Sequence, residues 1–142
     1  MNESNRGSED AAIGNTRKAD VMPWFVELSE VPDSEDWLLE IDSPHAYLTF
    51  TISELTVLQK AVRLLNESLS DSGKKRTFSA ETDEIALGTF NGTDVILLRD
   101  NEDFPRCFLA VGPKASSTLR ISLYEAEMRA FTKALQDVMS LV

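Results

Sequence analysis

"SELTVLQKAV", residues 53–62, and "AEMRAFTKAL", residues 126–135, stand 73 positions apart and read as two versions of one amphipathic helix. In the first, Leu55, Leu58, Val62, Leu65 and Leu69 fall three or four residues apart, the spacing that lines apolar side chains along one side of a helix. At the same offset they match Met128, Phe131, Leu135, Val138 and Val142, and the strand positions Leu48 and Phe50 just upstream match Ile121 and Leu123. Every core position meets a core position. Glu54, Lys60 and Ala61 also recur unchanged as Glu127, Lys133 and Ala134. Thr51 or Ser53 is expected to cap the first helix, with Glu54 at capping-box spacing from Thr51, and Ser122 with Glu125 to cap the second.

Working outward, "AYLTFT" (46–51) sets Tyr47, Thr49 and Thr51 against Leu48, Phe50 and Ile52, the two-residue period of a strand with one wet face. Before it, "WFVEL" (24–28) and "DWLLEID" (36–42) flank "SEVPDSE", whose Pro-Asp-Ser is a turn signal. After the first helix, which is expected to end near Ser68, "SDSGKKR" (70–76) supplies Gly73 for the left-handed residue of a helix end. Then come "RTFSAE", "EIALGTF", "TDVILLRD", "RCFLAVG" and "TLRISL". Asn91-Gly92 between two of them predicts a type I′ hairpin, because both central residues of that turn need positive φ.

The expected fold is therefore α+β: antiparallel sheet with two helices packed on one face, in two strands-then-helix units of about 22–70 and 75–142. Residues 1–20 contain no Leu, Phe, Trp, Tyr or Val and read as a disordered tail, leaving 21–142 as one domain. Hydrophobic residues make up 42% of the 142-residue chain, enough for a core without disulfides or metals.

The stretches "WLLEIDSPHAYLTFTISELTVLQKAV", "EIALGTFNGTDVILLRDNEDFPRCFLAVGP" and "RISLYEAEMRAFTKAL" together resemble the Whirly and Pur-alpha type of fold, including a small cyanobacterial family of unknown function assigned to that group. The resemblance lies in the pattern of elements over most of residues 24–142 and implies single-stranded nucleic acid as a ligand. The first unit departs from it, with three strands expected against four or five in the second.

Charge points elsewhere. A net charge of −10 repels phosphate backbones and attracts basic partners. The residues suited to a single strand are Lys74, Lys75 and Arg76 beside Phe78, with Arg99 and Arg106 near Phe90 and Phe104, since such binders pair a positive groove with stacking aromatics. Against them stands the ordinary reading, a solvated basic loop and strand aromatics turned to the core.

Catalysis finds little support. His45, the one histidine, follows Pro44 in an expected turn, and Cys107, the one cysteine, lies in an apolar strand where packing is the ordinary role. "ETDE" (81–84) and "DNED" (100–103) read as solvated turns; the latter has Pro105 and Val111 where a calcium loop needs Gly and Glu. No phosphate loop, dinucleotide fingerprint or nucleophile elbow occurs. No cofactor, metal or enzymatic activity is expected. No apolar run reaches the roughly 18 residues of a membrane span and the first residues lack a signal-peptide pattern, so the expected location is the cytoplasm.

The first helix adds Val57, Ala61 and Leu64 along a second edge, where the other has Ala130, Ala134 and Asp137. Such an edge is either buried within the monomer or meets a protein partner or a second copy. The expected function is a noncatalytic, acidic binding or regulatory module working through protein contacts or self-association; the alternative is a single-stranded nucleic-acid binder of Whirly or Pur-alpha type.

Overall fold

The computed structural model describes residues 16–70, 83–100, 106–112 and 119–140. They form β1 (Thr16–Val21), β2 (Trp24–Glu30), β3 (Trp37–Asp42), β4 (Tyr47–Ile52), α1 (Thr56–Ser70), β5 (Glu84–Phe90), β6 (Thr93–Asp100), β7 (Arg106–Val111), β8 (Leu119–Leu123) and α2 (Glu125–Ser140). All eight strands join one antiparallel sheet in chain order. Two units of four strands and a helix result, with both helices on one face.

The first unit thus has four strands, not three. The extra one, β1, occupies residues expected to belong to a tail, so the expected boundary at residue 20 is corrected to before Thr16. "TRKADV" has little apolar content and only Ala19 is fully buried. Its strand character comes from pairing: it runs back along β2 from Thr16 opposite Ser29 to Val21 opposite Trp24. Residues 1–15, Gly73, "RTFSAE", residues 81–82, residues 101–103 and Val142 lie outside the described residues; the expected solvated turn at "ETDE" is corrected at its second half, where Asp83 is fully buried and Glu84 opens β5.

Elsewhere local chemistry decides. Asn91 and Gly92 take φ of +50° and +77° and join β5 to β6 as their dipeptide requires. Leu48, Phe50 and Ile52 of β4 are buried while Tyr47 is exposed. Both helices start slightly later than the capping motifs suggest. At α1 the opening backbone bonds run to Glu54 and Leu55, and at α2 Tyr124 takes the capping position, its amide donating to Glu127 Oε1 at 3.1 Å. Thr51 and Ser122 sit inside strands, whose ladder bonds compete for their backbone.

Each helix lies chiefly over strands of the other unit. α1 packs on β5, β6 and β7, α2 on β1 and β2 with lesser contact to β7 and β8, and the helices pack on each other. This crossing makes one core from two units. Phe131 of α2 stacks on Trp24 of β2 with ring centroids 5.0 Å apart, both side chains fully buried. Laid flat, eight strands would hold β1 and β8 roughly 34 Å apart. One helix packed on both ends of the sheet therefore means that the sheet rolls around its helices, turning the outer faces of its two arms away from each other.

The arms join where β4 meets β5 through Thr51 and Thr89, beside a bulge between Ala86 and Gly88. Glycine is required there for space: a Cβ on Gly88 would lie 2.1 Å from the Thr51 carbonyl oxygen.

Candidate binding surface

Side chains alternate across a strand, so core residues dictate which neighbours face outward. With Trp24, Val26, Leu39, Ile41, Leu48 and Phe50 committed to the helices, the opposite face of β1–β4 carries two ladders. Asp20 pairs with Phe25, Phe25 with Asp42 and Asp42 with Tyr47, giving acid, aromatic, acid, aromatic in one row. The adjacent row reads Lys18, Glu27, Glu40, Thr49. Together they line a cleft of about 480 Å³, edged by Ala19 and Val26.

This cleft concentrates charge against stability. Glu27 and Glu40 stand directly opposite each other, an arrangement that is destabilising in a sheet. Lys18 beside Glu27 is the one ammonium among four carboxylates. The Tyr47 hydroxyl donates to Glu40. Its pKa is held above the ordinary value of 10.0, first by that hydrogen bond, then by burial, then by the charges of Glu40, Glu27 and Asp42. Phe25 is 44% and Tyr47 61% exposed, so large rings face solvent between carboxylates. Such a surface suits a cation, which can lie over a ring while its protons reach the acids.

The outer face of the second arm mixes charges: Glu84 and the exposed Asp94 share it with Arg106 and Arg120, and Arg106 stands in register with Asp100. Arg120 and Arg106 place their guanidinium groups 4.1 Å and 4.9 Å from the centre of the Phe108 ring. Arg106 also lies 5.8 Å from the Tyr124 ring centre and donates to its hydroxyl at 3.5 Å. Beneath them Ile96, Leu98 and Ala110 form a small apolar cluster separate from the main core.

The residues singled out from sequence are dispersed by this geometry. Arg106 joins the basic stack, whereas Arg99 shares the core-facing phase of Val95 and Leu97 and is only 6% exposed. It is thereby removed from any nucleic-acid surface, a correction that follows from strand phase alone. Lys74, Lys75, Arg76 and Phe78 lie outside the described residues. Ala61 and Leu64 are buried within the core of the single chain and Val57 is partly so, because α1 turns that edge inward. Val57 still reaches a smaller depression, of about 300 Å³, beside Glu54, Lys60 and Asp94. His45 is exposed and contacts Glu127 of α2, and Cys107 is buried in β7.

Sequence reasoning missed both surfaces. Their signal was there in phase: Phe25 and Tyr47 sit at the wet positions of strands whose alternate residues are core. Among the described residues no three His, Cys, Asp or Glu side chains gather as a metal site requires, and no helix is long and apolar enough to cross a membrane. Compared with known proteins, the chain matches no family model, no curated protein and no solved structure.

Proposed function

We propose that this chain is a noncatalytic binding module that takes a cationic segment of a protein partner on the acidic, aromatic cleft of β1–β4. The observation that carries the reading is the alternation of Asp20, Phe25, Asp42 and Tyr47 across four strands. An arginine or lysine laid along that row meets a ring and two acids at each step. An exposed cation–ring contact is worth about 0.5–1 kcal/mol, so about four together supply about 2–4 kcal/mol, a millimolar affinity before the carboxylates add to it. The net charge of −10 accelerates encounter with such a partner. A regulatory role in the cytoplasm belongs to the same proposal.

Titration of a fluorescent arginine- and lysine-rich peptide, followed by anisotropy, tests it. Binding that weakens with salt and falls about two- to fivefold on Asp42→Asn is expected. Absence of binding at low salt by folded protein would sink it.

The Whirly or Pur-alpha type of function, binding of a single strand, is the second reading. It draws support from the duplicated four-strand-and-helix architecture and from the Arg106, Phe108, Arg120 and Tyr124 stack, because guanidinium groups and rings are what bases stack on. The burial of Arg99 and the overall charge weigh against it. Substituting a mixed-sequence single strand for the peptide in the same titration separates the two.

A further inference from the structure

We infer that the cationic segment joins the sheet as an added strand on the open edge of β4, an inference that rests on the cationic-partner reading above. β3 and β4 pair along their whole length, from Trp37 opposite Ile52 to Asp42 opposite Tyr47, whereas β4 meets β5 only at Thr51 opposite Thr89. The two strands are staggered. Continued from that pair, Phe50 would meet Phe90, the last residue of β5, and Thr49 would meet Asn91 of the turn. No such pairing forms. Residues Thr89 to Asp94 are all exposed, and no atom lies within 4 Å of where a Cβ on Gly92 would stand. The hairpin tip thus stands in solvent, and among the described residues Tyr47 to Phe50 pair only with β3.

This edge lacks the usual guards. Every second residue of a strand turns its N–H and C=O to the same side, so half of the residues from Tyr47 to Phe50 offer theirs away from β3. Sheets blunt such edges with charged side chains, proline or a bulge. The outermost strands do carry charge, Arg17, Lys18 and Asp20 on β1 and Arg120 on β8. β4, "YLTFTI", has no charge and no proline, and its register with β3 is unbroken. It also borders the acidic cleft, since Tyr47 lines that cleft and Thr49 lies opposite Glu40.

The occupant is an extended segment of a protein partner with lysine or arginine at alternate positions, running antiparallel to β4 as every neighbour in this sheet does. Its backbone bonds to the edge, and every second side chain shares the outward face with Tyr47 and Thr49. One cation then lies against the Tyr47 ring towards Asp42, and the next crosses Thr49 towards Glu40, the long stems lying along the sheet. The intervening residues fall on the phase of the buried Leu48 and Phe50 and are apolar. Charge alone accepts a cationic segment in any conformation; strand addition demands free amides on one side of an extended chain.

The test is an anisotropy titration of the full chain with labelled peptides of about six residues, the length of an ordinary strand, that alternate lysine with valine. Two further peptides of equal charge carry N-methyl groups on the odd or on the even residues, which removes the amide donors from one side only. One N-methylated peptide is expected to bind about tenfold more weakly than the parent and the other like the parent. Hydrogen exchange of the protein locates the strand: amides between Tyr47 and Phe50 are expected to slow when the parent peptide binds, and those of β1 to stay unchanged. N-methylated peptides that bind alike, or protection that appears on β1 instead, would overturn the inference. Binding that is indifferent to N-methylation still preserves the cationic-partner reading, while no binding of the parent peptide at low salt removes both.

Discussion

Set β1–β4 beside β5–β8: Leu48 and Phe50 in one arm and Ile121 and Leu123 in the other face the same core, while the outward residues of the two arms differ. Outside stand Lys18, Asp20, Glu27, Glu40 and Asp42 on the first arm, and Glu84, Asp94, Arg106 and Arg120 on the second, where Arg106 is in register with Asp100. Both outer faces nonetheless keep exposed rings. The difference teaches which constraint acts where. Burial against a crossing helix selects chiefly apolar side chains of suitable volume, Arg99 of β6 apart, so inner faces stay alike. An outer face is free of that constraint, and here one arm carries a mainly acidic row while the other mixes acids with arginines.

The helices sharpen the comparison, because matched positions have unequal surroundings. Leu64 of α1 is buried and its counterpart Asp137 of α2 lies at the surface, bonded to Lys133 at 2.7 Å. Leu64→Asp places an uncompensated carboxylate in the core and is expected to cost about 4 kcal/mol or more, or to prevent folding. Asp137→Ala removes a surface pair four residues apart and is expected to cost under about 0.5 kcal/mol. Urea denaturation measures both; similar costs would break the claim that α1 buries at Leu64 what α2 leaves at the surface at Asp137.

The seam between the arms gives the next largest effect. Gly88→Ala drives a Cβ against the Thr51 carbonyl, and the β4–β5 junction must open to admit it, at about 3 kcal/mol. Gly92→Ala, in the hairpin, meets no atom within 4 Å and costs only its left-handed conformation at φ +77°, about 1 kcal/mol. Thermal melts that ranked the two in the reverse order would show that the seam yields easily.

The smallest effect is spectroscopic and belongs to the acidic arm. Tyr47 is expected to ionise above pH 10.0, read at the tyrosinate absorbance band and assigned by its loss in Tyr47→Phe. Raising a pKa on folding stabilises the protonated form. The contribution is therefore fully present below the unfolded pKa of 10.0 and is lost as pH rises through the elevated folded value. Glu40→Ala removes both the acceptor of that hydrogen bond and its charge and should bring the ionisation down. An unchanged titration would mean that the Tyr47–Glu40 hydrogen bond does not form in solution.

Legibility followed the range of the forces involved. The Asn91-Gly92 turn, the alternation in β4 and both helical stripes depend on neighbours in sequence, and all could be read there. β1 could not, since "TRKADV" is a strand only because β2 offers it a ladder. Arg99 and Arg106 looked equivalent as two cations bounding one loop. Strand phase set them on opposite faces, the first sealed beside Val95 and Leu97, the second stacked on Phe108. The acidic cleft stayed hidden for a related reason: each of its strands contributes one or two outward residues that look merely solvated singly, and only the register from Asp20 to Tyr47 makes a row of them.

By itself the sequence determined the duplicated strands-then-helix plan, because burial demands a period of two in strands and three to four in helices and both periods are written in the side chains. Only the tertiary structure decided that the helices cross, that the sheet rolls and that Asp20, Phe25, Asp42 and Tyr47 fall in one row. Those outcomes depend on contacts between residues far apart in the chain, where close packing and register act together.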